Sequence, residues 1–298
     1  MNCLIINNPV SGHSKTEKEI RHIKALLEKK YETVDIITTS DTLNAADISR
    51  DSLGKYHTYV ILGGDGTFGE TMSGLAGKPN RPVIGYIPSG TINDIARAHK
   101  IPFNYKKAVE VILTGKTVAR SSMFCNGVPV GFLIASGIFT SVPYTTKQAV
   151  KRKIGKLAYY IDIIFRDKGR RGEDLRVSFD GEEHKGRFIF AAAVNNSHVG
   201  GLRLTNVPFD NDGSFYIVLV KRDEGSLGLI AALATMVGTF LKKIENAGET
   251  KRVVVKKTAA VKIKSLSDTV WNTDGEKGPA GDVEITYAQD QFELIVPN

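Results

Sequence analysis

The sequence predicts an α/β N-terminal domain with a parallel sheet, followed by a C-terminal antiparallel β-sandwich whose last strand returns to the first domain. Three observations predict it. Short apolar strands alternate with helical patterns up to about residue 117, which is the signature of a parallel sheet covered on both faces. After residue 118 the chain becomes β-rich, with turns such as Asp-Gly between the runs. The C-terminal FELIVP is apolar enough to pack back onto the first domain. The expected boundaries are 1–117 with 286–298 for the first domain, and 118–285 for the second.

Each element has its own warrant. CLIIN is a short apolar strand that ends in the turn NPVSG. Between Lys15 and Lys30, Ile20, Ile23, Leu26 and Leu27 recur at helical spacing. TVDIITT is a second strand, and HTYVILGG a third that ends in glycines. A helix is expected from Phe68 to Leu75. RPVIGYIP is the fourth strand and runs into PSGTINDIARA, a loop that opens a helix. In the second half the β segments include NGVPVGFLIASGIF, LRVSFDGEEHKGRFIFAAAVNN, GSFYIVLVKR, KRVVVKKTAAVKIKS and VEITYAQDQFELIVP. Helices are expected over Thr146–Asp167 and Ser226–Glu245. Ser226–Leu241 is the longest apolar stretch, short of the roughly 20 residues that span a bilayer, and predicts a buried helix.

Composition narrows the function class. The formal net charge is +8. Lys147–Arg171 holds nine Lys or Arg against two Asp, and Thr250–Lys264 holds six and no acid. Such clusters suit an anionic partner, or a solvated face. The N-terminus lacks a basic n-region and a long apolar run, so no signal peptide is expected. Two cysteines, Cys3 and Cys125, give no disulfide framework and fit a reducing cytoplasm. The six histidines show no HExxH spacing.

Three glycine-bearing loops follow strands: NPVSG, GGDGT and PSGTIND. In an open parallel sheet ligands bind beyond the carboxyl ends of the strands, and backbone N–H groups at helix starts attract anions. Gly64, Gly66 and Gly69 spell GxGxxG, but the dinucleotide fingerprint needs an acid at the end of the next strand, and that strand ends in Ile87-Pro88-Ser89. GxxxxGK[ST] is absent. Asp65 in GGDGT is the odd member, because a carboxylate repels phosphate unless a divalent cation sits between them or it handles the accepting hydroxyl. Asp94 and Glu276 occupy similar glycine settings. Asp94 also fits a helix cap, and Asp274-Gly275 a hairpin turn.

With GGDGT, PSGTIND and a late DGE in this order, the chain resembles the bacterial diacylglycerol kinase-like soluble lipid kinases, whose catalytic domain is shared with eukaryotic diacylglycerol and sphingosine kinases. The resemblance runs from Asn8 to Pro297 and implies a phosphofructokinase/NAD kinase-like first domain. It implies ATP binding by Asn8, Pro9, Ser11, Gly12, Thr39, Gly63, Gly64, Asp65, Gly66, Thr67, Glu70, Ser89, Gly90, Thr91 and Asn93. It gives Asp65 and Asp94 the Mg2+–phosphate network and Glu276 the role of general base. A structural magnesium is implied at Asp212, with the carbonyls of Phe209 and Ser214. Gly200-Gly201 and Gly155–Tyr160 look like family positions without assigned chemistry.

Two departures stand out. Gly69 replaces an Asn of many members, and Asn211-Asp212-Gly213 replaces a DDG. The implied function is ATP-dependent phosphorylation of a lipid hydroxyl, in the cytoplasm and at the membrane periphery. Lys151, Arg152, Lys153 and Lys156 would meet an anionic membrane surface. No nucleic-acid partner is expected, and a homodimer is left open. Rival readings are an NAD kinase, which shares GGDGT, and a basic nucleotide-binding protein without catalysis.

Overall fold

In the computed structural model, Asn2–Asn7 forms strand β1 and buries five of its six residues. The structure describes residues 1–138, 172–206, 211–267 and 269–298. Helix α1 (Glu17–Leu27) opens on a reciprocal cap: the Thr16 hydroxyl accepts from the Glu19 N–H, and the Glu19 carboxylate accepts from the Thr16 N–H. Its buried Ile23 and Leu27 lie one turn apart. Strand β2 (Thr33–Thr38), helix α2 (Ala45–Asp51), strand β3 (Thr58–Gly63), helix α3 (Asp65–Leu75) and strand β4 (Val83–Pro88) continue the alternation. Helices α4 (Asp94–Ala98) and α5 (Tyr105–Thr114) follow. The strands pair in parallel in the order β2-β1-β3-β4. Every residue of β3 is buried, as a strand covered on both faces requires.

The sequence reading contains neither α2 nor α5. Helix α2 crosses α3 at Gly74, where a Cβ would meet Ser49 Oγ and the Ala46 carbonyl at 2.1 and 2.2 Å. Only glycine permits that approach.

The chain divides into two compact units. The first comprises Met1–Ser122, Asn196–Leu202 and Ala288–Asn298, and the second Met123–Asn195 and Arg203–Tyr287. The later strands are β5 (Lys116–Cys125), β6 (Val128–Val130), β7 (Leu133–Gly137), β8 (Glu173–Phe179), β9 (Glu182–Val194), β10 (His198–Val199), β11 (Leu202–Arg203) and β12 (Phe215–Lys221). After helix α6 (Gly225–Lys242) come β13 (Val253–Thr258), β14 (Ala260–Ser265), β15 (Val270–Thr273), β16 (Glu276–Ala280) and β17 (Val283–Val296).

Within the second unit the pairing is antiparallel. Strand β9 pairs with β7, β8 and β12, and β12 with β13. The turn between β8 and β9 is Asp180-Gly181, both at positive φ (49° and 79°), the conformation that suits a two-residue hairpin. Trp271, Phe188 and Phe215 are fully buried in this unit's core, and the Trp271 indole donates to the Gly281 carbonyl at 2.9 Å. Strand β17 pairs antiparallel with β14 through residues 283–286, then parallel with β4 at Glu293 and Leu294. The apolar FELIVP therefore ends in the first sheet, as expected.

One expectation changes. Helix α6 is present, but it is not buried all round. Leu227 is 82% exposed, Ile230 62% and Leu241 77%. Its buried residues include Ala232, Met236 and Thr239, so the helix packs on one side only. Among the described residues, no helix is long and apolar enough to cross a membrane. Lys147–Arg171 (with Lys151, Arg152, Lys153 and Lys156), the expected helix Thr146–Asp167, and Phe209 lie outside the described residues.

Candidate active site

Three parallel strands end in loops that meet within the first unit. After β1, the Asn8 side chain donates to Thr67 Oγ1 on α3 at 2.8 Å. Its own Oδ1 accepts the Val10 N–H at 3.0 Å, which closes the turn holding Pro9. The hydroxyls of Ser11 and Ser89 lie 2.8 Å apart. The His13 N–H donates to the Ser89 carbonyl at 2.6 Å. Thr39, after β2, donates its N–H to the Asn7 carbonyl at 2.8 Å, and Glu70 accepts the Ala45 N–H at 3.1 Å.

Glycine makes this convergence possible. A Cβ on Gly12 would lie 2.4 Å from Thr91 Oγ1. A Cβ on Gly63 would lie 2.6 Å from the Thr67 side chain. Gly64 and Gly90 face each other backbone to backbone: a Cβ on Gly90 would sit 2.6 Å from the Gly64 Cα. Gly64 is also the N-cap of α3, and no side chain caps that helix start, where Gly66 and Thr67 lie in the first turn. Small residues and uncapped N–H groups at a helix start suit a phosphate.

The acids sit at the same place. Asn93 is left-handed (φ 56°), and its side chain is spent on Gly90: Oδ1 accepts the Gly90 N–H at 2.9 Å, and Nδ2 donates to the Gly90 carbonyl at 2.7 Å. Asn93 therefore leaves the start of α4 without a local cap. Asp65 supplies one from another loop, accepting the Asp94 N–H at 3.0 Å and the Ile95 N–H at 3.2 Å. Asp94 is the first residue of the helix and does not cap it, unlike the local cap its sequence context allowed. Its own carboxylate accepts the Gly201 N–H at 2.9 Å. Burial, and then the neighbouring Asp65, push the Asp94 carboxyl up to about 7. Burial raises Asp65 as well, against the N–H donors that pull it down.

The second unit places the remaining acids. Asp274 and Gly275, both at positive φ (53° and 95°), make the turn between β15 and β16, so the hairpin reading of this pair holds. The Asp274 carboxylate also does more than turn. It accepts three backbone N–H groups, from Gly131 at 2.6 Å and from Phe132 and Leu133 at 2.9 Å each. Glu276 is the first residue of β16, exposed and paired with Thr273. Asp212 receives the Ser214 N–H and hydroxyl on Oδ1, at 3.1 and 2.8 Å, and Lys257 Nζ on Oδ2 at 2.5 Å.

A family model described as the diacylglycerol kinase catalytic domain matches residues 2–124, the stretch that carries all three loops. A curated diacylglycerol kinase of Staphylococcus aureus is 32% identical over 297 residues, which cover 99% of this chain and 92% of that relative. The chain belongs to the diacylglycerol kinase family. A second Staphylococcus aureus diacylglycerol kinase is 31% identical with the same coverage. A crystal structure of a diacylglycerol kinase from Bacillus anthracis superposes with a TM-score of 0.77 over 99% of this chain and 96% of that one, at 23% identity, and shows the same fold. As a member of the diacylglycerol kinase family the chain is a phosphotransferase of the lipid-kinase class.

The resemblance implies magnesium at two places, the Asp65–Asp94 pair and Asp212. Asp65 and Asp94 are hard oxygen donors, held close and partly deprived of water, and each raised carboxyl would be drawn back to its ionised form by a cation. They fit the ion. At Asp212 both carboxylate oxygens already carry donors of the chain itself, one of them an ammonium, and Phe209 lies outside the described residues. Among the described residues no group of three or more His, Cys, Asp or Glu gathers.

Sequence reasoning left three features without a role: the Gly201 donation to Asp94, the triple anchor of Asp274, and Lys257 on Asp212. Only the Gly200-Gly201 pair had any signal, as a family-like doublet.

Proposed function

We propose that this chain transfers the γ-phosphate of ATP to a lipid hydroxyl, with diacylglycerol the first acceptor to test because its relatives carry that name. The observation that carries the proposal is the pairing of Asp65 with Asp94 at the meeting point of three glycine loops. In this reading the first unit binds the nucleotide. The loops at Asn8–Gly12, Gly63–Thr67 and Ser89–Asn93 would hold the phosphates through backbone N–H groups and small side chains, with Thr39 and Glu70 at the flank. Magnesium held by Asp65 and Asp94 would neutralise both carboxylates and stabilise the charge that develops on the phosphates.

Glu276 is the group we assign to the acceptor. Its carboxylate takes the proton of the lipid hydroxyl as that oxygen bonds to the γ-phosphorus and the bond to the β-phosphate oxygen breaks, releasing ADP. A positioned base of this kind contributes roughly 10²–10⁴-fold. Asp274, two residues earlier and anchored by three N–H groups, fixes the turn that presents Glu276. The basic run Lys147–Arg171 supports transient docking on an anionic membrane.

The test is Glu276→Gln. The proposal expects turnover to fall by about two to four orders of magnitude while nucleotide affinity stays unchanged. A variant that keeps its turnover contradicts the assignment of the base.

A further inference from the structure

We propose that Arg97 is a further phosphate-contacting residue of this site, with its guanidinium fork on the γ-phosphate of the nucleotide; the inference rests on the nucleotide reading of the three loops. The placement follows from the helix. Side chains of an α-helix lean towards its N-terminus. Arg97 lies on α4, three residues after Asp94, and runs back along the helix until its Nε donates to the Ile92 carbonyl at 2.9 Å. Ile92 belongs to the PSGTIND loop. The guanidinium therefore sits at the loop end of α4, the end that Asp65 caps.

The group is held there but not used up. Its Cζ lies over the Phe103 ring, 4.8 Å from the centroid. Its Nε is committed to Ile92. Among the described residues no hydrogen bond or ion pair engages Nη1 or Nη2. Four N–H donors of a half-buried cation thus remain for a ligand. The anchor and the ring restrict the side chain, and a planar fork matches two oxygens of one phosphate.

Charge counting gives the fork its partner. The loops Asn8–Gly12, Gly63–Thr67 and Ser89–Asn93 contain no Lys or Arg. A nucleotide triphosphate brings several negative charges to them, and Asp65 and Asp94 add two more. A divalent ion at the acid pair would offset those two and leave the phosphates to backbone N–H groups and Arg97. Burial is the first cause that raises both carboxyls, and Arg97 is a cation that opposes it at each. As the phosphoryl group passes to the acceptor oxygen, a fork on its oxygens stabilises the charge they carry.

The probes are ADP and the non-hydrolysable triphosphate analogue AMP-PNP, titrated calorimetrically with magnesium on the full chain. Wild type should bind AMP-PNP more tightly than ADP. Arg97→Met should lose that preference, a change of roughly tenfold or more, and keep its ADP affinity. Arg97→Lys, which keeps the charge without the fork, should fall between the two. It carries the test alone if circular dichroism shows Arg97→Met unfolded. Equal wild-type affinities for the two probes, or a preference untouched in both variants, would overturn the inference while leaving the nucleotide site in place. Equal loss of both affinities in a folded variant would overturn it too, by making Arg97 a purely structural residue. A wild type that binds neither probe contradicts the nucleotide reading, and the inference falls with it.

Discussion

The carboxylate of Asp65 caps a helix that begins 29 residues later, accepting the backbone N–H of Asp94 at 3.0 Å and of Ile95 at 3.2 Å. The acid that looked misplaced in a phosphate-binding loop thus has a structural partner, and that partner carries the second acid of the pair. Asp65→Ala should remove the cap and one of the two carboxylates together. The expected stability loss is about 1–2 kcal/mol, the usual range for a lost cap, measured by chemical denaturation. Phosphotransfer should fall at least about 10²-fold. Loss of stability with turnover intact would leave Asp65 a cap and nothing more.

Asp94 sets a pH dependence. Its carboxyl ionises near 3.9 in an unfolded chain and at about 7 in the fold, because of burial first and Asp65 second. Between those values the native state holds the extra proton. Without a divalent cation, stability contributed here is full below about pH 4, declines as the pH rises, and is gone above about pH 7. Asp94→Asn should therefore be more stable than wild type at pH 8, by at most roughly 4 kcal/mol, and equal to it near pH 4. Thermal melts in chelator at the two pH values measure the difference, and magnesium at pH 8 should narrow it. An equal gap at both pH values would contradict the raised carboxyl.

Gly90→Ala tests the contact between loops. The new methyl would press on the Gly64 Cα at 2.6 Å, and that obstacle is backbone. The loops must part. A cost of about 1–3 kcal/mol is expected, as for other overpacked sites. The Michaelis constant for ATP should rise while secondary structure by circular dichroism stays unchanged. An unaltered Michaelis constant would show that the two loops do not need this approach to bind nucleotide.

Asp274→Ala leaves the N–H groups of Gly131, Phe132 and Leu133 without their acceptor. Hydrogen bonds to charged groups contribute about 1.5–3 kcal/mol each, though three on one carboxylate do not add fully. If the anchor positions Glu276, turnover should fall with little change in the Michaelis constant for ATP. Asp274→Asn, which keeps one acceptor oxygen, should recover part of it. Equal losses in both variants would argue that the turn does not set the base.

The loops were legible because glycine spacing after an apolar strand is a local signal, and so was the return of the last strand, whose FELIVP is apolar except for the exposed Glu293. The long-range pairings were not. Nothing around Gly201 announces that its N–H will meet Asp94, 107 residues away, and nothing in KRVVVKK marks Lys257 as the residue whose register points at Asp212. Helix α2 is seven residues long, too short for periodicity to declare itself. The exposed flank of α6 escaped for the opposite reason: an all-apolar run carries no sign of which side packs.

The central claim is phosphate transfer to a lipid. The most direct measurement incubates the chain with γ-labelled ATP, magnesium and mixed micelles holding diacylglycerol and other lipid alcohols, with NAD as a soluble acceptor alongside. The account predicts label in one lipid, lost in Asp65→Ala and in Glu276→Ala. Label in NAD and in none of the lipids would contradict it.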